Sequence, residues 1–132
     1  MRADGTDMVP YKLNFYNDII TYCNDLKAEG KEIIFGGDFN IVHTEIDIAR
    51  PKENQKSVGF LPIEREKIAE WMGHGYTDVL RMLEPDKTDY YTWWSWRAGA
   101  RPNNVGWRID YFFVTDALKD KVKSFQHNTE DM

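Results

Sequence analysis

The feature that most constrains the fold is the run from Ile33 to Asn40, in which an apolar stretch ends in two glycines and then two polar residues. Its apolar half is rich in β-favouring residues and predicts a buried strand. The glycines remove side-chain bulk and allow close approach of the backbone. Asp38 and Asn40 are two positions apart, so both side chains point to one face of an extended chain. Such oxygen donors suit a hard cation like Mg²⁺ or an activated water, although a plain turn after a strand has the same composition.

The periodicity of apolar residues predicts helices on both sides of this strand. Apolar residues recur at helical spacing through residues 11–29, in a run bracketed by a proline and a glycine. A second helix is predicted for residues 62–74 and a short third helix, capped by Thr77, for residues 78–83. Residues 1–9 show no periodicity, so we expect a looped or disordered N-terminus before a single domain that spans residues 10–132.

Two aromatic-rich runs, residues 90–96 and 107–115, predict further strands. Residues 116–121 are expected to form a turn or a short helix, and residues 122–128 are a candidate last strand. The resulting order of helix, strand, helices and strands predicts an α+β domain with a mixed β-sheet and helices on one face.

Charge and cysteine content narrow the functional classes. The formal net charge of −5 provides no broad basic surface, so any contact with phosphate requires a local cluster or a metal ion. The single cysteine, Cys23, excludes an internal disulfide, is expected to pack in the core and fits a reducing, cytoplasmic compartment. No run is long and apolar enough to predict a membrane-spanning segment.

Three further features could carry chemistry. Asp110 interrupts an apolar run, where a carboxylate is costly unless it is paired, so it is either a buried structural residue or a catalytic one. The loop after residue 96 supplies four donors, which could hold phosphate oxygens but would also suit a solvated loop: Arg97, Arg101, Asn103 and Asn104. Trp93 and Trp107 could belong to the core or wall a pocket for a sugar or base.

Four blocks of sequence are more specific together than any one of them alone. Residues 36–47 read Gly-Gly-Asp-Phe-Asn-Ile-Val-His-Thr-Glu-Ile-Asp, and residues 104–111 read Asn-Val-Gly-Trp-Arg-Ile-Asp-Tyr. Between them lie Gly-Phe-Leu-Pro-Ile-Glu-Arg at 59–65, in which Glu64 and Arg65 belong to the pattern, and Tyr-Thr-Trp-Trp-Ser at 91–95. Together the blocks resemble exonuclease III-type apurinic/apyrimidinic endonucleases, within the endonuclease/exonuclease/phosphatase superfamily, over about residues 10–125.

The resemblance implies one half of a four-layered αββα sandwich in a DNA repair nuclease. Such enzymes hydrolyse the phosphodiester of double-stranded DNA at abasic sites and at 3′ ends, with Mg²⁺ or alternatively Mn²⁺ as cofactor. It implies that Asp38 activates the attacking water, that Asn40 holds the phosphate, that both lie at the metal, and that Asp110 orients a catalytic histidine. The substrate-binding residues implied or suggested are Asn54, Trp93, Arg97, Asn104, Trp107 and Ile109.

The resemblance covers only the C-terminal half of the family's domain. The family's upstream glutamate and tyrosine segments and its terminal Ser-Asp-His have no match, so we expect this chain alone to be inactive or nearly so. A bare sheet would expose an apolar face, for which the candidates are Phe35, Trp94, Tyr111 and Phe113, and we expect a homodimer to cover it. The alternatives are a non-catalytic, self-associating fragment and a different nuclease or phosphatase of the superfamily.

Overall fold

The computed structural model describes residues 5–97 and 99–124. Its helices and strands, in chain order, are α1 Val9–Ala28, β1 Ile34–Asp38, α2 Pro62–Gly73, β2 Tyr76–Asp78, α3 Val79–Leu83, β3 Trp93–Trp94, β4 Gly106–Trp107 and β5 Asp110–Thr115. The predicted α+β class is confirmed, since helices and antiparallel strands share one fold.

The first helix begins earlier than the sequence predicted. Thr6–Met8 form a 3₁₀ turn and Val9, which is only 4% exposed, starts α1, so the prediction of a loop through residue 9 is wrong for this part. The physical reason is Pro10, whose fixed φ and missing N–H suit the first turn of a helix. The chain leaves α1 through Gly30, at φ 87, a left-handed conformation that glycine adopts without strain.

The strands form two antiparallel sheets in the described residues, rather than the single mixed sheet that was predicted. β5 is the centre of a three-stranded sheet of order β1-β5-β2, and β3 pairs with β4. β2 was missed because three residues are too few to show a period. The predicted strand over residues 107–115 is interrupted at Arg108, whose N–H donates to Asp47 O at 2.8 Å instead of extending the sheet.

The remaining predictions of secondary structure were confirmed in part. The run at 90–96 contains only the two-residue strand β3. Asp116–Lys121 form a 3₁₀ helix, as predicted. Residues 122–124 form no strand, and the rest of the candidate last strand lies outside the described residues. Asp78, rather than Thr77, is the N-cap of α3, and its carboxylate accepts from Arg81 N.

The main core lies between the three-stranded sheet and the pair α1 and α2, so the helices cover one face as expected. Tyr16 of α1 meets Trp71 of α2 edge to face at a centroid distance of 5.3 Å. Phe35 and Phe113 stack beneath them on the sheet at 5.2 Å. Cys23 is buried in the same cluster, which confirms its predicted role in packing.

The opposite face of the sheet is open, but the residues predicted to line it were wrong. Tyr111 and Phe113 are 2% and 0% exposed because they point toward the helices. The open face instead carries Ile34 and Phe112, which are 67% and 54% exposed. Gly36 faces Phe112 across the strand pair, and the ring lies directly over it. Of the helices in residues 5–97 and 99–124, none combines the length and apolarity required to cross a bilayer.

Candidate active site

Two carboxylates face each other where β1 and β5 end their pairing. Asp38 is the register partner of Asp110, and both side chains are exposed on the open face. Asp38 Oδ1 accepts a hydrogen bond from Asn40 N at 2.9 Å, which ties the carboxylate to the turn that follows β1. Asp110 N donates to Thr92 Oγ1 at 3.1 Å. The fold therefore brings the three predicted catalytic residues to one edge.

The environment of Asp110 differs from the buried apolar strand that its sequence predicted. Asp110 is the first residue of β5 and is exposed, because the apolar run is broken just before it. Its pKa is raised, chiefly by partial desolvation and also by the negative charge of Asp38, while the hydrogen bond from Thr92 opposes the shift. Two like charges held across a strand pair in this way are a feature of functional sites rather than of stabilising ones.

A small pocket opens beside Asn40. Asn40 itself has φ 52, a left-handed conformation, and its neighbour Phe39 is buried. The pocket has a volume of about 270 Å³, and the lining includes Asn40, Trp93, Trp107 and Ile109. Trp93 and Trp107 are register partners and meet edge to face at a centroid distance of 5.9 Å. Three predicted substrate-binding residues thus form a mainly apolar wall, and Ile109 in this wall directly precedes Asp110.

A second cleft, of about 660 Å³, shares the two tryptophans and extends between two loops. Asn54 lines one side and Arg97 the other. Asn54 is held in place by its own loop, because it donates to Arg50 O at 2.8 Å and accepts from Ser57 Oγ at 2.9 Å. The prediction placed both residues at the substrate, and the structure gives them a common cleft.

Asn104 has a local structural role. Its Oδ1 accepts from Trp94 Nε1 at 2.9 Å and its Nδ2 donates to Asp89 O at 3.3 Å. It also has φ 53, which asparagine tolerates better than most residues. The side chain therefore stabilises the loop that leads into β4, and its neighbour Asn103 lines the cleft instead.

The sequence did not reveal a buried ionic network behind the pocket. Arg108 is 1% exposed and donates to Asp47 at 2.8 Å and to Asp78 at 2.6 Å. Burial alone would raise the pKa of Asp47, but the charge and hydrogen bonds of Arg108 outweigh it and hold that pKa below its ordinary value. Because Arg108 points inward, its neighbours Trp107 and Ile109 are turned toward the pocket.

Lys12 is a second residue that the sequence did not reveal. It lies on α1, yet its Nζ donates to Asn40 O at 2.6 Å and contacts Glu64 Oε2 at 2.5 Å. Lys12 also lines the small pocket. No local sequence pattern connects Lys12 with the turn after β1.

This chain is similar in sequence and in fold to known proteins. A profile of the endonuclease/exonuclease/phosphatase family matches residues 2–130. The chain belongs to the endonuclease/exonuclease/phosphatase family. The exonuclease III-type resemblance is likewise supported, because the relatives below carry the names of exodeoxyribonucleases and abasic-site endonucleases.

Two proteins of similar sequence and one solved structure of similar fold can be compared with this endonuclease/exonuclease/phosphatase chain. It is 39% identical over 119 residues to an exodeoxyribonuclease of Bacillus subtilis, covering 90% of this chain and 47% of that protein. It is 42% identical over 120 residues to a DNA-(apurinic or apyrimidinic site) endonuclease of Dictyostelium discoideum, covering 90% of this chain and 33% of that protein. The fold matches a 3′–5′ exonuclease from Neisseria meningitidis with a TM-score of 0.82 and 25% identity, over 88% of this chain and 45% of that one. The chain therefore spans less than half the length of these relatives.

The donor chemistry of this endonuclease/exonuclease/phosphatase chain fits a hard divalent cation in part. Asp38, Asp110 and Asn40 offer carboxylate and amide oxygens, the ligands that Mg²⁺ prefers. Across residues 5–97 and 99–124, no cluster of three or more His, Cys, Asp or Glu side chains could hold a metal ion by itself. Mg²⁺ commonly takes only one or two carboxylates and fills its remaining positions with water and substrate phosphate, so the two carboxylates are compatible with it.

Proposed function

We propose that this chain forms part of a DNA repair nuclease that hydrolyses phosphodiesters at abasic sites and at 3′ ends of double-stranded DNA. The observation that carries the proposal is the facing carboxylate pair Asp38 and Asp110, which the chain joins to two lining residues of the small pocket. Asp38 accepts a hydrogen bond from the backbone of Asn40, and Asp110 directly follows Ile109. The names of the Bacillus and Dictyostelium relatives support the same activity.

The small pocket is assigned to a nucleotide sugar turned out of the duplex. A volume of about 270 Å³ is suited to a sugar without its base, and the aromatic side chains of Trp93 and Trp107 offer it an apolar wall. Turning a nucleotide out of the stack costs least when no base pair has to be broken, which favours an abasic site. The adjacent cleft, with Asn54 and Arg97, is assigned to the phosphates that flank this nucleotide.

The polar edge is assigned to the chemistry. Asp38 orients the attacking water and accepts its proton, as an exposed carboxylate can do. Asn40 donates its amide N–H to an oxygen of the phosphate, where negative charge grows in the transition state. Asp110 orients a histidine that acts on the leaving group, the role implied by the resemblance to exonuclease III-type enzymes.

The proposed cofactor is a divalent metal ion, Mg²⁺ or alternatively Mn²⁺. Asp38 and Asn40 would hold it through their side-chain oxygens. A bound divalent ion supplies Lewis-acid stabilisation of phosphoryl charge. A site with so few protein ligands would bind the ion together with substrate, so this chain alone is proposed to have little or no activity.

We also propose a partner for the open face of the sheet and a cellular compartment for the protein. The open face carries two large exposed apolar residues, Ile34 and Phe112, and we propose that a second copy of the chain covers them. Light scattering tests this, since a monomer mass that persists at high protein concentration would contradict it. We retain a cytoplasmic location as a prediction based on the single, buried Cys23.

A non-catalytic role is the second candidate. It is favoured by the net charge of −5 and by the incomplete set of metal ligands among the described residues. Both candidates predict that this chain binds DNA weakly or self-associates, but only the nuclease proposal predicts metal-dependent cutting.

The test is cleavage of a labelled duplex that contains one abasic site, with Mg²⁺ and with EDTA. We expect cutting at the abasic site and at the 3′ ends to be barely detectable, abolished by EDTA and absent in Asp38→Asn. The control variant is Tyr22→Ala, which lies on α1 at a side chain that is 64% exposed, and which should behave as wild type. Cutting that persists in EDTA, or that Asp38→Asn leaves unchanged, would contradict the proposal.

A further inference from the structure

Lys12 places a positive charge at the pocket that the carboxylate edge adjoins. Its side chain extends from α1 and is 18% exposed, while its ion-pair partner Glu64 is 0% exposed. Its Nζ contacts both Asn40 O and the Glu64 carboxylate. Asn40 in turn donates through its backbone N–H to Asp38. The ammonium group therefore reaches the same turn that positions the proposed catalytic residues.

Glu64 does not depend on Lys12 alone. The Oε1 atom of Glu64 accepts from Gly59 N at 2.6 Å and from Leu61 N at 3.3 Å. Lys12 contacts the other carboxylate oxygen. Two backbone donors thus already satisfy much of this buried carboxylate, and a purely structural ion pair would not require the ammonium group to lie at the pocket.

One of the three N–H donors of the Lys12 ammonium group has no partner among the described residues. Lysine carries three N–H donors, and the hydrogen bonds of the described residues account for two of them, to Asn40 O and to Glu64. The side chains of Trp93, Trp107 and Ile109, which also line the pocket, offer no strong acceptor. Asn40 has an amide oxygen there, but among the described residues Lys12 donates to its backbone oxygen. A half-buried cation with a free donor beside an apolar wall favours an anionic oxygen as its third partner.

We propose that Lys12 binds a phosphate oxygen of the DNA backbone at the mouth of this pocket. The inference rests on the proposed function, which supplies the phosphodiester. The ligand chemistry follows from the site, because a phosphodiester carries one negative charge and presents two free oxygens. In a chain with a net charge of −5, a cation fixed at this position also offsets the repulsion between the DNA backbone and Asp38 and Asp110.

The test is the salt dependence of binding to a duplex that carries one tetrahydrofuran abasic analogue. Each phosphate contact contributes about 0.9 to the slope of log affinity against log salt concentration. The double variant Lys12→Met/Glu64→Gln removes the ammonium without leaving a buried charge behind. We expect it to lower that slope by about one and to weaken binding about tenfold at low salt, as for the loss of one charge-assisted hydrogen bond.

Three control variants separate phosphate binding from structural support. Glu64→Gln alone keeps the ammonium and should keep the wild-type slope. Lys12→Arg keeps the charge and should keep the slope, whereas Lys12→Gln keeps donors to Asn40 and Glu64 but should lose it. Thermal unfolding checks each variant, and if the double variant does not fold, the Arg and Gln pair carries the same comparison.

The outcomes distinguish this inference from the proposed function. If wild type prefers the abasic duplex but its salt slope equals that of the double variant, Lys12 only supports the fold and the inference is overturned. If wild type shows no preference for the abasic duplex while the slope still falls on loss of Lys12, the phosphate contact stands and the abasic-site proposal fails. Absence of any salt-dependent binding by wild type overturns both.

Discussion

Replacement of Arg108 by methionine should be the most destabilising single change behind the pocket. The guanidinium makes four hydrogen bonds to two carboxylates, two to Asp47 and two to Asp78, and it is 1% exposed. Methionine fills much of the volume but leaves two buried negative charges. Among the described residues, Asp47 retains Arg81, at 2.5 Å, whereas Asp78 retains only the weak contact from Arg81 N at 3.5 Å.

The magnitude follows from this loss of partners. Removal of one partner from a buried ion pair typically costs about 3–5 kcal/mol, because the other charge stays buried. A domain of this size has a free energy of unfolding of about 5–15 kcal/mol, so Arg108→Met should lose a large share of it. Addition of Asp78→Asn removes one of the stranded charges, and the double variant should regain part of the loss.

Urea unfolding, followed by tryptophan fluorescence, measures these free energies. The matched control is Arg50→Met, an exposed arginine whose only described ion pair is with Glu53 at 3.9 Å, and which should change stability by less than about 0.5 kcal/mol. A loss below about 1 kcal/mol for Arg108→Met would refute the ionic network as a structural support. A double variant no more stable than the single one would show that Asp78 is not stranded.

Three more predictions concern stability. Asp110→Asn should raise the urea midpoint at pH 7, because the raised pKa of Asp110 means that its charged form is disfavoured in the folded state; an unchanged or lower midpoint would count against a strained carboxylate pair. The lowered pKa of Asp47 stabilises the fold fully above its ordinary pKa of 3.8, and this contribution is lost as pH falls through the pKa of the folded state. Asp47→Asn should therefore make the free energy of unfolding depend less on pH below about pH 4. An unchanged pH dependence in that range would contradict this. Gly36→Ala should lower the free energy of unfolding by about 1–3 kcal/mol, because its Cβ would lie 2.5 Å from the ring of Phe112. The control Gly73→Ala, whose Cβ would meet no atom within 4 Å, should be neutral. Equal effects of the two variants in thermal unfolding would show that the ring moves freely.

The sequence predicted the elements whose pattern is long and local. α1 and α2 carry enough turns for apolar spacing to define them, and β1 was marked by its apolar run and glycines. The sequence could not predict which side chains of β5 face the core. Residues 111–114 are all apolar, so the strand shows no alternation of apolar and polar residues there. The helices settle this by covering Tyr111 and Phe113, which leaves Phe112 on the open face.

The candidate site has local motifs that the sequence reveals and long-range contacts that it does not. Asp38, Asn40 and Asp110 lie in conspicuous local patterns, and the fold brings them together. Arg108 and Lys12 have partners far away in the chain, in segments that only tertiary structure joins. No local pattern can predict such pairs, since each residue alone looks like an ordinary charged side chain.

The preference for an abasic nucleotide tests the proposed site most directly. Two duplexes that differ only in one tetrahydrofuran abasic analogue should be compared for their dissociation constants at one salt concentration, with wild type, Trp107→Ala and the control Tyr22→Ala. We predict tighter binding of the abasic duplex by wild type and by Tyr22→Ala, and loss of that preference in Trp107→Ala, because Trp107 walls the pocket. Equal binding of both duplexes by wild type, or an undiminished preference in Trp107→Ala, would contradict the assignment of this pocket to the abasic sugar.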